Sequence, residues 1–168
     1  DAETIVLIRD PVERLLSCFL FWKYQKNKIK HSLNLKLNNL NFEEFVFSND
    51  KEIISSTHNV QIRLLAGASF GKKPLARTQV IGPNIDKDKI KSLAKNFLDK
   101  NPLVARTNSM NLILEKVSDI LGKKIEPNRF RERETNHELK KSIKLSQKIL
   151  DRIYQINELD YYLFNLVK

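Results

Sequence analysis

Arg9 closes a run of apolar, β-branched residues, Thr4-Ile5-Val6-Leu7-Ile8, and Ser17 follows it eight positions later. A guanidinium offers a planar fork of donors and a hydroxyl adds one more, so the pair suits a phosphate. Between them, Asp10-Pro11-Val12-Glu13 reads as a helix start, with Asp10 as N-cap, Pro11 at the first helical position and Glu13 completing a capping box. The partial positive charge of that helix start favours an anion, although Asp10 and Glu13 offset part of it. A helix running to about Tyr24 puts Ser17 about two turns in. Both residues then approach the carboxyl end of the strand, the usual ligand crevice of an open α/β sheet. A purely structural alternative stays open at this point: Arg9 pairs with a carboxylate and Ser17 faces a neighbouring helix.

Other chemistry-bearing residues are weaker candidates. Asn128-Arg129-Phe130-Arg131-Glu132-Arg133-Glu134-Thr135 is a basic loop with donors for an anion, or a solvated surface of Arg and Glu pairs worth about 0–1 kcal/mol each. Gly67-Ala68-Ser69-Phe70-Gly71-Lys72-Lys73 has the look of a phosphate-binding P-loop, but it is one residue short, lacks Ser or Thr after the Lys and follows a helix. It reads as a basic surface turn. His31, His58 and His137 are scattered without metal-ligand spacing, so no metal site is expected. His58, just before the Gln61-Arg63 helix, is the best placed of the three for proton transfer, yet no catalytic base can be assigned. Cys18 is the single cysteine, in an apolar stretch where a buried thiol is expected, so the chain forms no internal disulfide.

These residues need a scaffold, and the composition supplies one. The 168 residues are 41% hydrophobic, enough for one ordinary domain with a packed core. Thirty Lys and Arg against twenty Asp and Glu give a formal net charge of +10, which favours an anionic partner. Nucleic acid, a phosphorylated nucleotide, an acidic glycan and an anionic membrane all satisfy that charge, as does a merely solvated basic surface. No apolar run approaches the roughly 20 residues of a membrane span, and Asp1-Ala2-Glu3 lacks the basic start of a signal peptide.

The elements alternate in the α/β manner. After the first strand and helix, residues 26–41 read as a polar surface connection, with short helices at Phe42 to Phe47 and Lys51 to Ser55. A helix from Asn59 is expected to end at Gly67, followed by a loop carrying Gly71, Pro74, Gly82 and Pro83. Asp86 to Lys100 is amphipathic and leads into a second strand at Pro102-Leu103-Val104-Ala105. Ser109 to Leu121 is a helix closed by Gly122, and helices follow from about His137 to Ile153 and from Asn157 to Val167. Two strands alone leave unpaired edges, so at least one or two further strands are expected upstream of Asp1.

The string Ile8-Arg9-Asp10-Pro11-Val12-Glu13-Arg14-Leu15-Leu16-Ser17 closely resembles the 3'-phosphate-binding motif of carbohydrate sulfotransferases, the group that includes heparan sulfate 2-O- and 6-O-sulfotransferases. Asn59-Val60-Gln61-Ile62-Arg63-Leu64-Leu65-Ala66-Gly67 resembles that family's Asn-x-Gln-x-Arg-x-Leu-x-Gly helix, and Asn157-Glu158-Leu159-Asp160-Tyr161-Tyr162-Leu163-Phe164 resembles its closing helix. The matches are collinear and cover nearly the whole chain. The resemblance implies a P-loop-like α/β sulfotransferase fold, a parallel sheet flanked by helices, helix-rich and incomplete at the amino terminus. In it, residues 1–168 form a single domain, the carboxy-terminal two-thirds of the family's.

The implied activity is transfer of a sulfuryl group from 3'-phosphoadenosine 5'-phosphosulfate (PAPS) to a carbohydrate hydroxyl, leaving adenosine 3',5'-bisphosphate. Arg9 and Ser17 would hold the 3'-phosphate, Arg131, Arg133 and Thr135 would reach the nucleotide from a loop folded over it, and Arg14 would form an ion pair. The acceptor would be an acidic or neutral glycan, with no nucleic acid partner. The family's strand and 5'-phosphosulfate loop, with its Lys and Thr, is missing from the sequence, and so is an upstream catalytic base. A basic polyanion-binding module and a sulfotransferase-like pseudoenzyme remain the alternatives. The free thiol favours a cytoplasmic location, and an upstream anchor would instead imply the Golgi lumen.

Overall fold

The structure is a computed structural model that describes residues 4–24, 32–69, 86–100, 103–125 and 137–167. Strand β1 (Ile5–Ile8) pairs in parallel with β2 (Leu103–Arg106), in a register that runs from Ile5 opposite Leu103 to Ile8 opposite Arg106. β-Branched and apolar residues suit this pleated, doubly covered position. Val6 and Ile8 face one side and pack with Ile62, Leu65 and Ala66, Ile90 and Ala94, and Leu159 and Leu163. Leu7, Leu103 and Ala105 face the other side, against Ile113 and Val117.

The helices that supply these residues are α5 (Val60–Ser69), α6 (Lys87–Asp99) and α10 (Glu158–Leu166) on one face and α7 (Met110–Leu121) on the other. Asp86 caps α6 by accepting from the amides of Asp88 and Lys89, and Gly122 ends α7 in the left-handed conformation at φ 61°, as expected of a glycine there. The chain is therefore an α/β layered structure, rich in helix.

A second core is all helical. Helix α1 (Pro11–Tyr24) leaves the sheet and packs Leu15, Leu16, Phe19 and Leu20 against α2 (Ser32–Leu37), α3 (Phe42–Val46), α4 (Lys51–Thr57) and α9 (Gln147–Ile156). The Phe19 ring meets Phe42 edge-on at 5.5 Å and Phe45 at 5.3 Å, an arrangement worth about 0.5–1.5 kcal/mol per pair beyond burial. Helix α1 thus belongs to both halves: its first turn leaves the strand end and its body anchors the helical core.

Four expectations are corrected. Residues 32–37 of the polar connection are helical, and Leu33 and Leu37 are buried, because the apolar face of α1 needs cover. Helix α5 runs through Gly67 to Ser69. The helix expected from His137 to Ile153 is two, α8 (His137–Ser142) and α9, the latter started by Ser146, whose side chain accepts from the amide of Ile149. At α1, Asp10 accepts from the amide of Glu13 at 3.0 Å as predicted, but the Glu13 carboxylate turns to cationic neighbours. The loop with Gly71, Pro74, Gly82 and Pro83 lies outside the described residues, as does most of the P-loop-like turn.

Candidate functional site

Arg9 stands one residue past the last pair of the β1–β2 ladder, where among the described residues its backbone has no strand beside it. Gln61 of α5 replaces that neighbour: its Oε1 accepts from the Arg9 N–H and its Nε2 donates to the Arg9 carbonyl, both at 2.8 Å. The Arg9 side chain remains 36% exposed, and its ionic contact with Glu13, at 3.7 Å, is longer than a direct hydrogen bond. Glu13 also pairs with Lys140 of α8. Ser17 lies one turn beyond Glu13 on the same face of α1 and is half-buried. The strand end therefore gathers Arg9, Glu13 and Lys140, with Ser17 next along the helix.

The corresponding arginine at the end of β2 is committed elsewhere. Arg106 stacks on the Phe164 ring at 4.2 Å and donates to the Phe164 carbonyl at 3.1 Å.

Behind the strand end lies a buried polar lock between two helix starts. Asn59, at φ 46°, turns the chain from α4 into α5, and its Oδ1 accepts from the amides of Leu159 (2.9 Å) and Asp160 (3.2 Å) at the start of α10. In return, the Asp160 carboxylate accepts from the amides of Gln61 (3.1 Å) and Ile62 (2.8 Å) at the start of α5. Each helix caps the other, so two first-turn donors of each are satisfied without water. Asn157, with no exposure, accepts from the Asn59 amide at 3.1 Å and from Arg14 at 3.3 Å, and donates to the Ile153 carbonyl.

Two arginines close the lock onto the end of α4. Arg14 donates to the carbonyls of Ser56 (3.1 Å) and Thr57 (2.6 Å) and stands 3.8 Å from Asp160, which gives it the ion pair expected of it. Arg63, 2% exposed, donates to the carbonyls of Ser55 and Asn59. Cations at a helix carboxyl end meet its partial negative charge. Burial pushes the Asp160 carboxyl up, against the pull of Arg14, the two capping amides and Arg63.

His58 sits at the carboxyl end of α4, where burial and the charges of Arg152, Arg63 and Arg14 hold its imidazole at about 4. It is neutral at pH 7 and a weak base there. Burial pushes the Cys18 thiol up, as expected of a packed cysteine. His31 lies outside the described residues, as do Arg131, Arg133 and Thr135. Among the described residues, no group of three or more His, Cys, Asp or Glu side chains is placed to hold a metal ion, and no helix is long and apolar enough to cross a membrane.

Sequence reasoning singled out Arg9 and Ser17 and gave no role to Gln61 and Lys140, the side chains that touch the strand end and its carboxylate. The signal for Gln61 was the Asn59-x-Gln61-x-Arg63 spacing itself, which places three polar residues on the first turns of an otherwise apolar helix. No curated protein and no solved structure matches the chain. A family model described as the sulfotransferase family matches residues 1–166. With its parallel strand pair, helical cover and an arginine at the strand's carboxyl end, the chain belongs to the sulfotransferase family.

Proposed function

We propose that the chain binds the 3'-phosphate of PAPS through Arg9 and Ser17 and serves the transfer of its sulfuryl group to a carbohydrate hydroxyl. The observation that carries this reading is the contrast among the arginines. Arg14, Arg63 and Arg106 each donate to carbonyls of the chain itself, whereas Arg9 has a pinned backbone, a partly exposed side chain and a loose contact to a half-exposed carboxylate. Such a group can exchange Glu13 for a phosphate without leaving a buried charge unpaired.

In the transfer, the acceptor oxygen bonds to sulfur as the bond from sulfur to the phosphate bridging oxygen breaks. The hydroxyl proton passes to a base, and adenosine 3',5'-bisphosphate departs. The described residues contribute position and charge: Arg9 and Ser17 fix the nucleotide by its ribose phosphate, so the 5' end is held at a set distance from the strand. Arg131, Arg133 and Thr135 would add nucleotide contacts from their loop. The net charge of +10 supports an acidic glycan as acceptor, because a basic surface concentrates it near the site.

Calorimetric titration with adenosine 3',5'-bisphosphate tests the reading. Loss of a charged hydrogen-bonding partner worth about 1.5–3 kcal/mol predicts that Arg9→Ala weakens binding by roughly 10- to 100-fold. Adenosine 5'-monophosphate, which lacks the 3'-phosphate, should bind the variant and the parent alike. Equal affinity of folded Arg9→Ala and parent protein for the bisphosphate would refute the assignment.

A further inference from the structure

We infer that Gln61 is a positioning residue for the phosphate site: its side-chain amide acts as a one-residue extension of the sheet that fixes the backbone from which Arg9 reaches the ligand. The inference rests on the proposed role of Arg9.

The geometry is specific to an amide. Ile8 is the last residue of β1 paired with β2, so the next residue would have a free N–H and a free C=O. One planar group meets both, accepting at Oε1 and donating at Nε2, each at 2.8 Å. Among side chains of this length, a methionine offers neither function and a carboxylate offers only the acceptor, which would face the Arg9 carbonyl with like charge. Asparagine is one methylene shorter.

Gln61 is itself held from behind. Its backbone N–H donates to Asp160 at 3.1 Å, and Asp160 is fully buried at the start of α10. Pro11, two residues past Arg9, restricts Asp10 to extended conformations from the other side. Arg9 is therefore fixed between a proline-limited turn and an amide clasp, and the direction in which its long side chain leaves the strand follows from both. Without the clasp, the backbone at residue 9 samples several wells and the guanidinium no longer arrives already oriented. That loosening costs affinity for a group contacted by Arg9 and leaves other contacts alone.

The test uses Gln61→Met, which keeps length and apolar volume, and Gln61→Glu as a second variant should the first fold poorly. Two readouts are taken: amide hydrogen exchange across the chain, and affinities for adenosine 3',5'-bisphosphate and adenosine 5'-monophosphate. The expected result is at least tenfold faster exchange at the Arg9 amide, unchanged protection within α5 and α10, and a several-fold loss of affinity confined to the bisphosphate.

Unchanged exchange at Arg9, or equal loss for both nucleotides, would overturn the positioning role, since a general structural defect has no preference for the 3'-phosphate. Arg9→Ala in the same titration separates the two levels. If it loses the bisphosphate while Gln61→Met does not, the inference fails alone. If Arg9→Ala binds like the parent, the site assignment fails and the inference falls with it, even where exchange shows that the clasp exists.

Discussion

Two polar regions meet at the start of α1, and they are built on opposite rules. At the strand end, Arg9 and Glu13 keep more than a third of their side chains exposed and touch at 3.7 Å. A few residues away, Asn157 and Asp160 have no exposure and Arg63 has 2%, and their donors and acceptors are spent on one another and on the ends of α4, α5 and α10. The lock holds helix starts at a fixed spacing. The strand end keeps a partly exposed cation with a loosely held partner. Residues from one family pattern thus divide into those that are buried and internally paired and those that stay partly exposed with a loose partner, and breaking one class should not resemble breaking the other.

The sharpest division is expected at Asp160. Asp160→Ala leaves two α5 amides uncapped and Arg14 without its nearby carboxylate, a loss on the scale of about 3–5 kcal/mol for a broken buried ion pair. Urea unfolding followed by circular dichroism should show a midpoint far below that of the parent. Arg9→Ala should stay within about 1 kcal/mol of the parent, because its pair is exposed. Comparable destabilisation by the two substitutions would abolish the distinction.

Asn59 carries a smaller share, in two separable parts. Its side chain caps two α10 amides, worth about 1–2 kcal/mol together, and its backbone sits at φ 46°, which costs an alanine about 1 kcal/mol more than a glycine. Asn59→Gly should therefore unfold at a higher urea concentration than Asn59→Ala, and both below the parent. Identical midpoints for the two variants would assign the whole effect to the caps.

His58 gives the lock a pH dependence. Its folded value of about 4 lies below the ordinary 6.5, so the unfolded chain binds a proton that the folded chain refuses between those limits. The contribution is fully present above pH 6.5 and is lost as pH falls towards 4. Urea midpoints at pH 7 and pH 4.5 should diverge more for the parent than for His58→Gln. Partial exposure of the ring screens the neighbouring arginines and keeps the divergence modest. Parallel loss in both proteins would attribute acid sensitivity to the carboxylates alone.

The strand end was legible in the sequence because its signals are local. A β-branched run, an Arg, an Asp-Pro and a Ser fall within fourteen residues, and each states its own conformation. The lock was not, because its bonds join residues 98 to 101 positions apart, and nothing near Asn59 or Asp160 says what they meet. The same limit hid α2: Leu33 and Leu37 are too few to mark a helix alone, and their burial is decided by α1 and the helices around it. Gly67 failed in the other direction. Its freedom at positive φ permits a helix end without requiring one, and packing of α5 on α6 and α10 carries the helix past it. The break before α9 did have a local sign, Ser146 as N-cap, which was outweighed by the apolar periodicity on either side.

The smallest effect tests the strand end directly. Glu13 is shared by Arg9 and Lys140, so Glu13→Gln leaves two cations without their carboxylate while Asp10 still caps the helix through the residue 13 amide. If Glu13 holds the place of a phosphate, the substitution should raise affinity for adenosine 3',5'-bisphosphate by about two- to fivefold at low salt, the equivalent of an exposed pair of about 0.5–1 kcal/mol. The gain should shrink as the Debye length falls below the spacing of the charges. If Arg9 were present to secure Glu13 and the start of α1, the same substitution would lower the unfolding midpoint and leave anion affinity where it was. The two readings of Arg9 thus predict opposite outcomes from one neutral replacement, with affinity moving alone in the first case and stability moving alone in the second.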